Sequence, residues 1–195
     1  MRQFNWLLLG LFIFGSCGIA GGGMTESSLA TTLVEAVVDS TEVTSVPIHG
    51  ANLTTDYNAD IKNRTTNMVI ATNTINGIVL QPDEVFSFNE VIGKTTKEKG
   101  YKPAKIFVRG KEEQGMGGGI CQVSSTLYNA ADFAGLEIVE RHPHSKKVTY
   151  VKEGRDAATS YGGVDLKFRN TLPHPVKIVA TAVGGKLTVG IEAVV

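Results

Sequence analysis

The sequence predicts an α+β fold: a single compact domain of two main helices and several short, mostly antiparallel strands, preceded by an export signal and a tether. Three observations carry this. Two segments place apolar residues at helical spacing, and each stops at a glycine. Around them run short strand-like stretches set off by turn residues, the last two joined by Gly184-Gly185, a hairpin signal. No regular strand–helix–strand rhythm runs through the chain, which argues against a doubly wound parallel sheet.

Residues 1–24 read as a signal peptide or lipoprotein leader, with Arg2, an apolar core from Trp6 to Phe14, and then small residues. That core is well short of the roughly 20 residues that span a bilayer. Cys17 sits in a loose lipoprotein box with Phe14 in place of the usual leucine. Lipidation of Cys17, plain secretion and an uncleaved anchor all remain open, and each puts the domain outside the cytoplasmic membrane. Residues 25–51, rich in Ser and Thr and including His49, read as a tether, and residues 52–195 as the domain.

Within the domain, Asp60 is placed to cap a helix carrying Ile61, Met68, Ala71 and Ile75, ended by Gly77. Ile78–Leu80 and Val85–Phe88 read as strands about a Gln-Pro-Asp-Glu turn, and Lys105–Val108 as another that turns at Arg109-Gly110. A second helix carries Val123, Leu127, Ala130, Ala131 and Ala134 up to Gly135. Strands are then expected at Leu136–Arg141, Lys147–Val151, Asp165–Phe168, Val176–Val183 and Lys186–Ile191. The 195 residues are 42% hydrophobic, enough for one buried core. The 19 basic and 19 acidic residues are interspersed, and no basic or aromatic-basic stripe points to nucleic acid.

Gly117-Gly118-Gly119 delivers Cys121, the one cysteine outside the leader, to the start of the second helix. Glycines permit a tight turn whose N–H groups can converge on an anion, and the helix dipole favours thiolate over thiol. The bland alternative is a small buried hydrophobe, as free cysteines often are. The glycine run, the helix start and the histidines downstream favour a functional thiol.

Several separated motifs occur in order: Asn89-Glu90-Val91-Ile92-Gly93 after Phe86-Ser87-Phe88, then Gly100-Tyr101, the run Gly117–Ala131, Glu140-Arg141-His142-Pro143-His144-Ser145, Gly154-Arg155-Asp156-Ala157 and Asp165–Asn170. Together they resemble the VanW family over roughly residues 52–192. Departures are small: Ala158-Thr159 stands where relatives usually have a threonine and a valine, and Pro143 where a polar residue is common. The resemblance implies a cell-envelope protein of the kind found in Gram-positive bacteria and linked to vancomycin resistance. Some family members act as L,D-transpeptidases on peptidoglycan stem peptides through the cysteine of a GGGxCQ motif, which is Cys121 here.

Cysteine acyl transfer needs a thiolate, a base, an orienting group and oxyanion donors, and no cofactor. Cys121 is the expected nucleophile, with His144 preferred over His142 as base. Alternation along an extended segment puts both histidines on one face. Asp156 is the preferred orienter, ahead of Asp165, and the N–H groups of Gly118, Gly119 or Cys121 and the Gln122 side chain are candidate oxyanion donors. Arg141 and Arg155 are candidates for substrate carboxylates, although an arginine beside Glu140 is as readily a surface pair. Ser124, with Ser125 and Thr126, suits cleft lining or backbone satisfaction rather than nucleophilic attack. No metal site is expected, since structural zinc sites usually use more thiolates. Expected partners are peptidoglycan stem peptides and, through the leader or a lipid on Cys17, the membrane. Two outcomes stay open beside transpeptidation: a carboxypeptidase, if water replaces the acceptor amine, and a non-catalytic module binding peptidoglycan or glycopeptide.

Overall fold

The computed structural model describes residues 51–108 and 111–194. The expected leader with Cys17, nearly all of the tether with His49, and the Arg109-Gly110 turn lie outside them. Strand β1 (Ala51–Asp56) leads to helix α1 (Lys62–Ile75), then β2 (Val79–Leu80), β3 (Val85–Ser87) and a short helix α2 (Phe88–Ile92). The hairpin β4 (Pro103–Val108) and β5 (Lys111–Met116) precedes helix α3 (Ile120–Phe133). After β6 (Glu137–Glu140) comes a long irregular crossing to β7 (Lys167–Arg169) and the closing hairpin β8 (Val176–Val183) and β9 (Lys186–Ala193). Every strand pair is antiparallel, so the chain has the expected α+β class.

The main sheet runs β1-β9-β8-β2, beside a three-stranded sheet β3-β7-β6 and the β4-β5 ribbon. Alternation sets its inner face: Val176, Ile178 and Ala180 of β8 and Leu187, Val189 and Ile191 of β9 are buried. Gly184 and Gly185 have φ of 60° and 80°, as the tight turn between these strands requires. Helix α1 buries Met68, Ala71 and Ile75 along one stripe. Helix α3 buries every residue from Gln122 to Leu127, because it lies between the sheet and the crossing segment that follows it. Among the described residues no helix is long and apolar enough to cross a membrane.

Four local expectations are corrected. Asp60 makes no capping hydrogen bond to α1; the helix starts after Ile61 with no side-chain cap, and Asp60 faces Lys62. Phe88 opens α2 instead of ending a strand, because the Ser87 hydroxyl accepts from Glu90 N at 3.1 Å. Asp165 precedes its strand and uses its carboxylate on Ser87 Oγ at 2.6 Å and Asn89 N at 2.9 Å. Residues 147–151 form no strand: Val148 and Tyr150 leave the sheet and line a cleft.

Candidate active site

The glycine turn is shaped by what surrounds it. Gly117 and Gly119 have φ of 81° and 110°, a region that favours glycine. At Gly118 the constraint is space, since a Cβ there would lie 2.5 Å from Lys105 O and 2.8 Å from the Ala104 carbonyl carbon. Helix α1 fixes the turn through buried Asn67, whose amide donates to Lys102 O at 2.9 Å and Gly118 O at 3.0 Å and accepts from Lys102 N at 2.7 Å. Cys121 thus occupies the second position of α3, among the N–H groups that a helix start leaves without intrahelical partners.

The hydroxyl face of α3 receives the end of the crossing segment. Ser124 Oγ donates to Ala157 O at 2.7 Å, Ser125 Oγ accepts from Ala157 N at 2.9 Å, and Asn129 Nδ2 donates to Arg155 O at 2.7 Å. This docking sets Asp156 and Thr159 beside the helix start. Asp156, only 7% exposed, accepts from His144 N at 2.7 Å and from His144 Nδ1 at 2.6 Å. An ionised carboxylate only accepts, so Nδ1 carries the proton and Nε2 is left to exchange one with the thiol. Arg141 braces the carboxylate from behind, Nη2 lying 2.9 Å from Asp156 Oδ1.

The electrostatics run one way. Burial pushes the Cys121 thiol up, but the hydrogen bond and charge of His144 and the contacts of Thr159 outweigh it, leaving the pKa below the ordinary value. Burial pushes His144 down; Cys121 and Asp156 outweigh that, and its pKa is raised. Burial likewise pushes Asp156 up and is overcome by hydrogen bonds from the backbone and ring of His144, so it stays below the usual range. The three shifts run in the direction that favours thiolate, imidazolium and carboxylate together. The neutral thiol donates to Thr159 O at 3.5 Å, with Thr159 Oγ1 at 3.9 Å.

These groups open on a cleft of about 880 Å³ between the start of α1, the β4-β5 ribbon and the crossing segment. Cys121, His144 and Thr159 line it, with Gly117–Gly119, Gln122, Arg64 and Tyr150. The other predicted site residues are placed elsewhere or otherwise engaged. His142 turns to Glu140, with Nε2 3.1 Å from Oε1, because residues 141–150 are irregular and the alternation argument has no strand to act on. Arg155 pairs with Asp132 at 2.7 Å and Asn129 at 2.7 Å, stacked on Tyr128 and Phe133, so it ties the crossing segment to α3. Arg141 is likewise occupied by Asp156 and Gly154 O, at 2.9 Å, and neither arginine lines the cleft. Ser124 is buried on Ala157. Gln122 spends its amide N–H groups on Thr55 Oγ1 at 3.0 Å and Asp56 O at 2.9 Å.

Sequence reasoning missed Arg64, Tyr150 and Thr159. Among the described residues no three His, Cys, Asp or Glu side chains gather as a metal site would.

The fold and site define a cysteine–histidine–aspartate constellation at a helix start in an α+β domain. The family described as VanW like protein matches residues 63–192, and the chain belongs to this family. It is 47% identical over 135 residues to YoaR of Bacillus subtilis, described as uncharacterized, covering 69% of this chain and 45% of that protein. It is 33% identical over 114 residues to the vancomycin B-type resistance protein VanW of Enterococcus faecalis, covering 56% of this chain and 42% of that protein. The chain therefore spans less than half the length of both relatives. No solved structure matches it.

Proposed function

We propose that this protein is an exported cysteine acyltransferase of L,D-transpeptidase type that acts on peptidoglycan stem peptides. The observation that carries the reading is the convergence of Cys121, His144 and Asp156 at the start of a helix, on a cleft of about 880 Å³. Export rests on the leader; the envelope substrate rests on the family and on the resistance protein it is similar to.

The geometry supports the following chemistry. The thiolate of Cys121 attacks the scissile carbonyl carbon, and the oxyanion faces the Cys121 N–H at the helix start, since Ile120 N and Gln122 N already donate to Gly117 O and Gly119 O. The C–N bond breaks as the leaving amine takes the proton from His144 Nε2, leaving a thioester. An acceptor amine then attacks the thioester, the thiolate departs, and the excess amine proton passes to His144. Asp156 holds the ring in the tautomer this requires, without itself changing protonation.

The test is the intact mass of the full chain after incubation with a tetrapeptide-stem muropeptide, beside Cys121→Ala. The expected result is an acyl adduct in the parent alone. A folded parent whose thiol alkylates readily but that forms neither adduct nor crosslinked product would reject acyl transfer.

A further inference from the structure

Arg64 is the charged group of the cleft that the chemistry above leaves unused. It lies in the first turn of α1, half-buried, and lines both the main cleft and an adjoining cavity of about 290 Å³. Its Nη2 donates to Gln122 Oε1 at 2.7 Å and its Nη1 rests 2.8 Å from Met68 Sδ. Neither partner carries a charge. Arg141, Arg155 and Arg169 each pair with a carboxylate, whereas among the described residues none lies within ion-pair distance of Arg64. No Asp or Glu lines the main cleft; Asp56 lines the adjoining cavity, where its carboxylate accepts from Lys186 Nζ at 2.7 Å.

The Cys121 thiolate is the nearby negative charge, and a half-buried guanidinium with no carboxylate partner of its own keeps the capacity to take an anionic ligand. The surroundings hold the guanidinium in one attitude. Gln122 is 2% exposed and anchored through its own amide N–H groups, which aims its oxygen at Arg64. On the other side, a Cβ on Gly119 would sit 2.8 Å from Arg64 Cγ, so the stem of the arginine packs directly on the turn leading to Cys121. Of the five N–H donors of a guanidinium, two are taken by these contacts, and the rest remain for a ligand.

We propose that Arg64 is the carboxylate-recognising residue of the site, holding the free carboxylate next to the scissile carbonyl. The acyl donor is then a peptide whose leaving residue ends the chain. Calling the ligand a donor rests on the acyl-transfer reading; binding a carboxylate beside the thiol does not. The assignment moves carboxylate recognition from Arg141 and Arg155, which are occupied, to a residue of α1.

The experiment compares alkylation of the full chain by iodoacetate and by iodoacetamide at one pH. In each, the Cys121 thiolate displaces iodide and forms an S–C bond, so the rate ratio cancels the thiolate fraction and reads the attraction for a carboxylate. The parent is expected to favour iodoacetate more than free cysteine does. Arg64→Gln and Arg64→Met should each lower the ratio about tenfold, the scale of one charge-assisted hydrogen bond. Arg64→Lys should keep most of it. Arg64→Met fills the same apolar space against Met68 and removes an unpaired charge, so it is the variant expected to fold whatever becomes of Arg64→Gln. An unchanged ratio in either folded variant overturns the proposal, as does a parent ratio no higher than that of free cysteine. A ratio that collapses in Arg64→Met while muropeptide gives neither thioester nor crosslinked product keeps Arg64 and rejects acyl transfer. A thioester with an unchanged ratio does the reverse.

Discussion

Replacing Asp156 with asparagine tests the site because shape is kept and only charge and hydrogen-bond polarity change. All three side-chain contacts of Asp156 are donors: His144 N at 2.7 Å, His144 Nδ1 at 2.6 Å and Arg141 Nη2 at 2.9 Å. A carboxamide must turn its own NH₂ toward one of them, so a donor meets a donor on either orientation. Hydrogen bonds to charged groups contribute about 1.5–3 kcal/mol each but do not add. The Asp156 side chain is only 11% exposed, which places the loss near the lower bound for breaking a buried pair, about 3 kcal/mol, or about 10 °C in Tm. The assay is urea unfolding of parent and variant across pH.

The Asp156 pKa is held below its ordinary 3.8. Its contribution is therefore present above 3.8 and is lost as pH falls through the lower folded value, so the gap between the proteins should be full at neutral pH and close in acid. A loss below about 0.5 kcal/mol at pH 7, or a gap that persists unchanged in acid, would refute the reasoning.

Two further outcomes follow from the placement of the site. His144→Gln should slow iodoacetamide alkylation of Cys121 about tenfold or more at neutral pH and move the reactivity midpoint up toward the ordinary thiol value, whereas His142→Gln should leave both unchanged. Equal effects of the two substitutions would contradict the separation of the rings. Gly118→Ala should destabilise by about 2 kcal/mol, because its Cβ meets backbone atoms of Lys105 and Ala104 that cannot swing aside; an unchanged urea midpoint would show that the ribbon yields.

The parts of this fold legible from sequence are those written in local patterns. The β8-β9 hairpin announces itself by alternation and Gly184-Gly185, and α3 by its apolar spacing and Gly135. Helix α2 was also legible, since Ser87 and Glu90 stand at N-cap spacing, but the apolar run from Val85 to Phe88 masks it. Strand β5, Lys-Glu-Glu-Gln-Gly-Met, has no pattern to read: it is largely exposed and held by backbone pairing to β4. The buried hydroxyls of α3 do satisfy local carbonyls, Ser125 on Cys121 O and Thr126 on Gln122 O, but the second partner of Ser124 and Ser125, Ala157, lies more than thirty positions away and has no local signal.

The same reasoning explains why the sequence pointed to Cys121, His144 and Asp156, which the structure brings together, and to two arginines that do not line the cleft. The three reactive types are scarce and carry chemistry, so a handful of candidates can be enumerated. Arginines are common, and those beside the histidines and aspartate attract attention by adjacency. Adjacency, however, is why Arg141 and Arg155 are consumed: residues close in sequence to Asp156 are the ones able to brace it and tie its segment down to α3. A side chain that stays available for a ligand has to reach the cleft from a separate element, as Arg64 does, 58 positions before the Gln122 that orients it. With Arg64 in the proposed role, the specificity of this site lies in the packing of α1 on the glycine turn, and substitutions there should alter which peptides are selected before they alter the reactivity of the thiol.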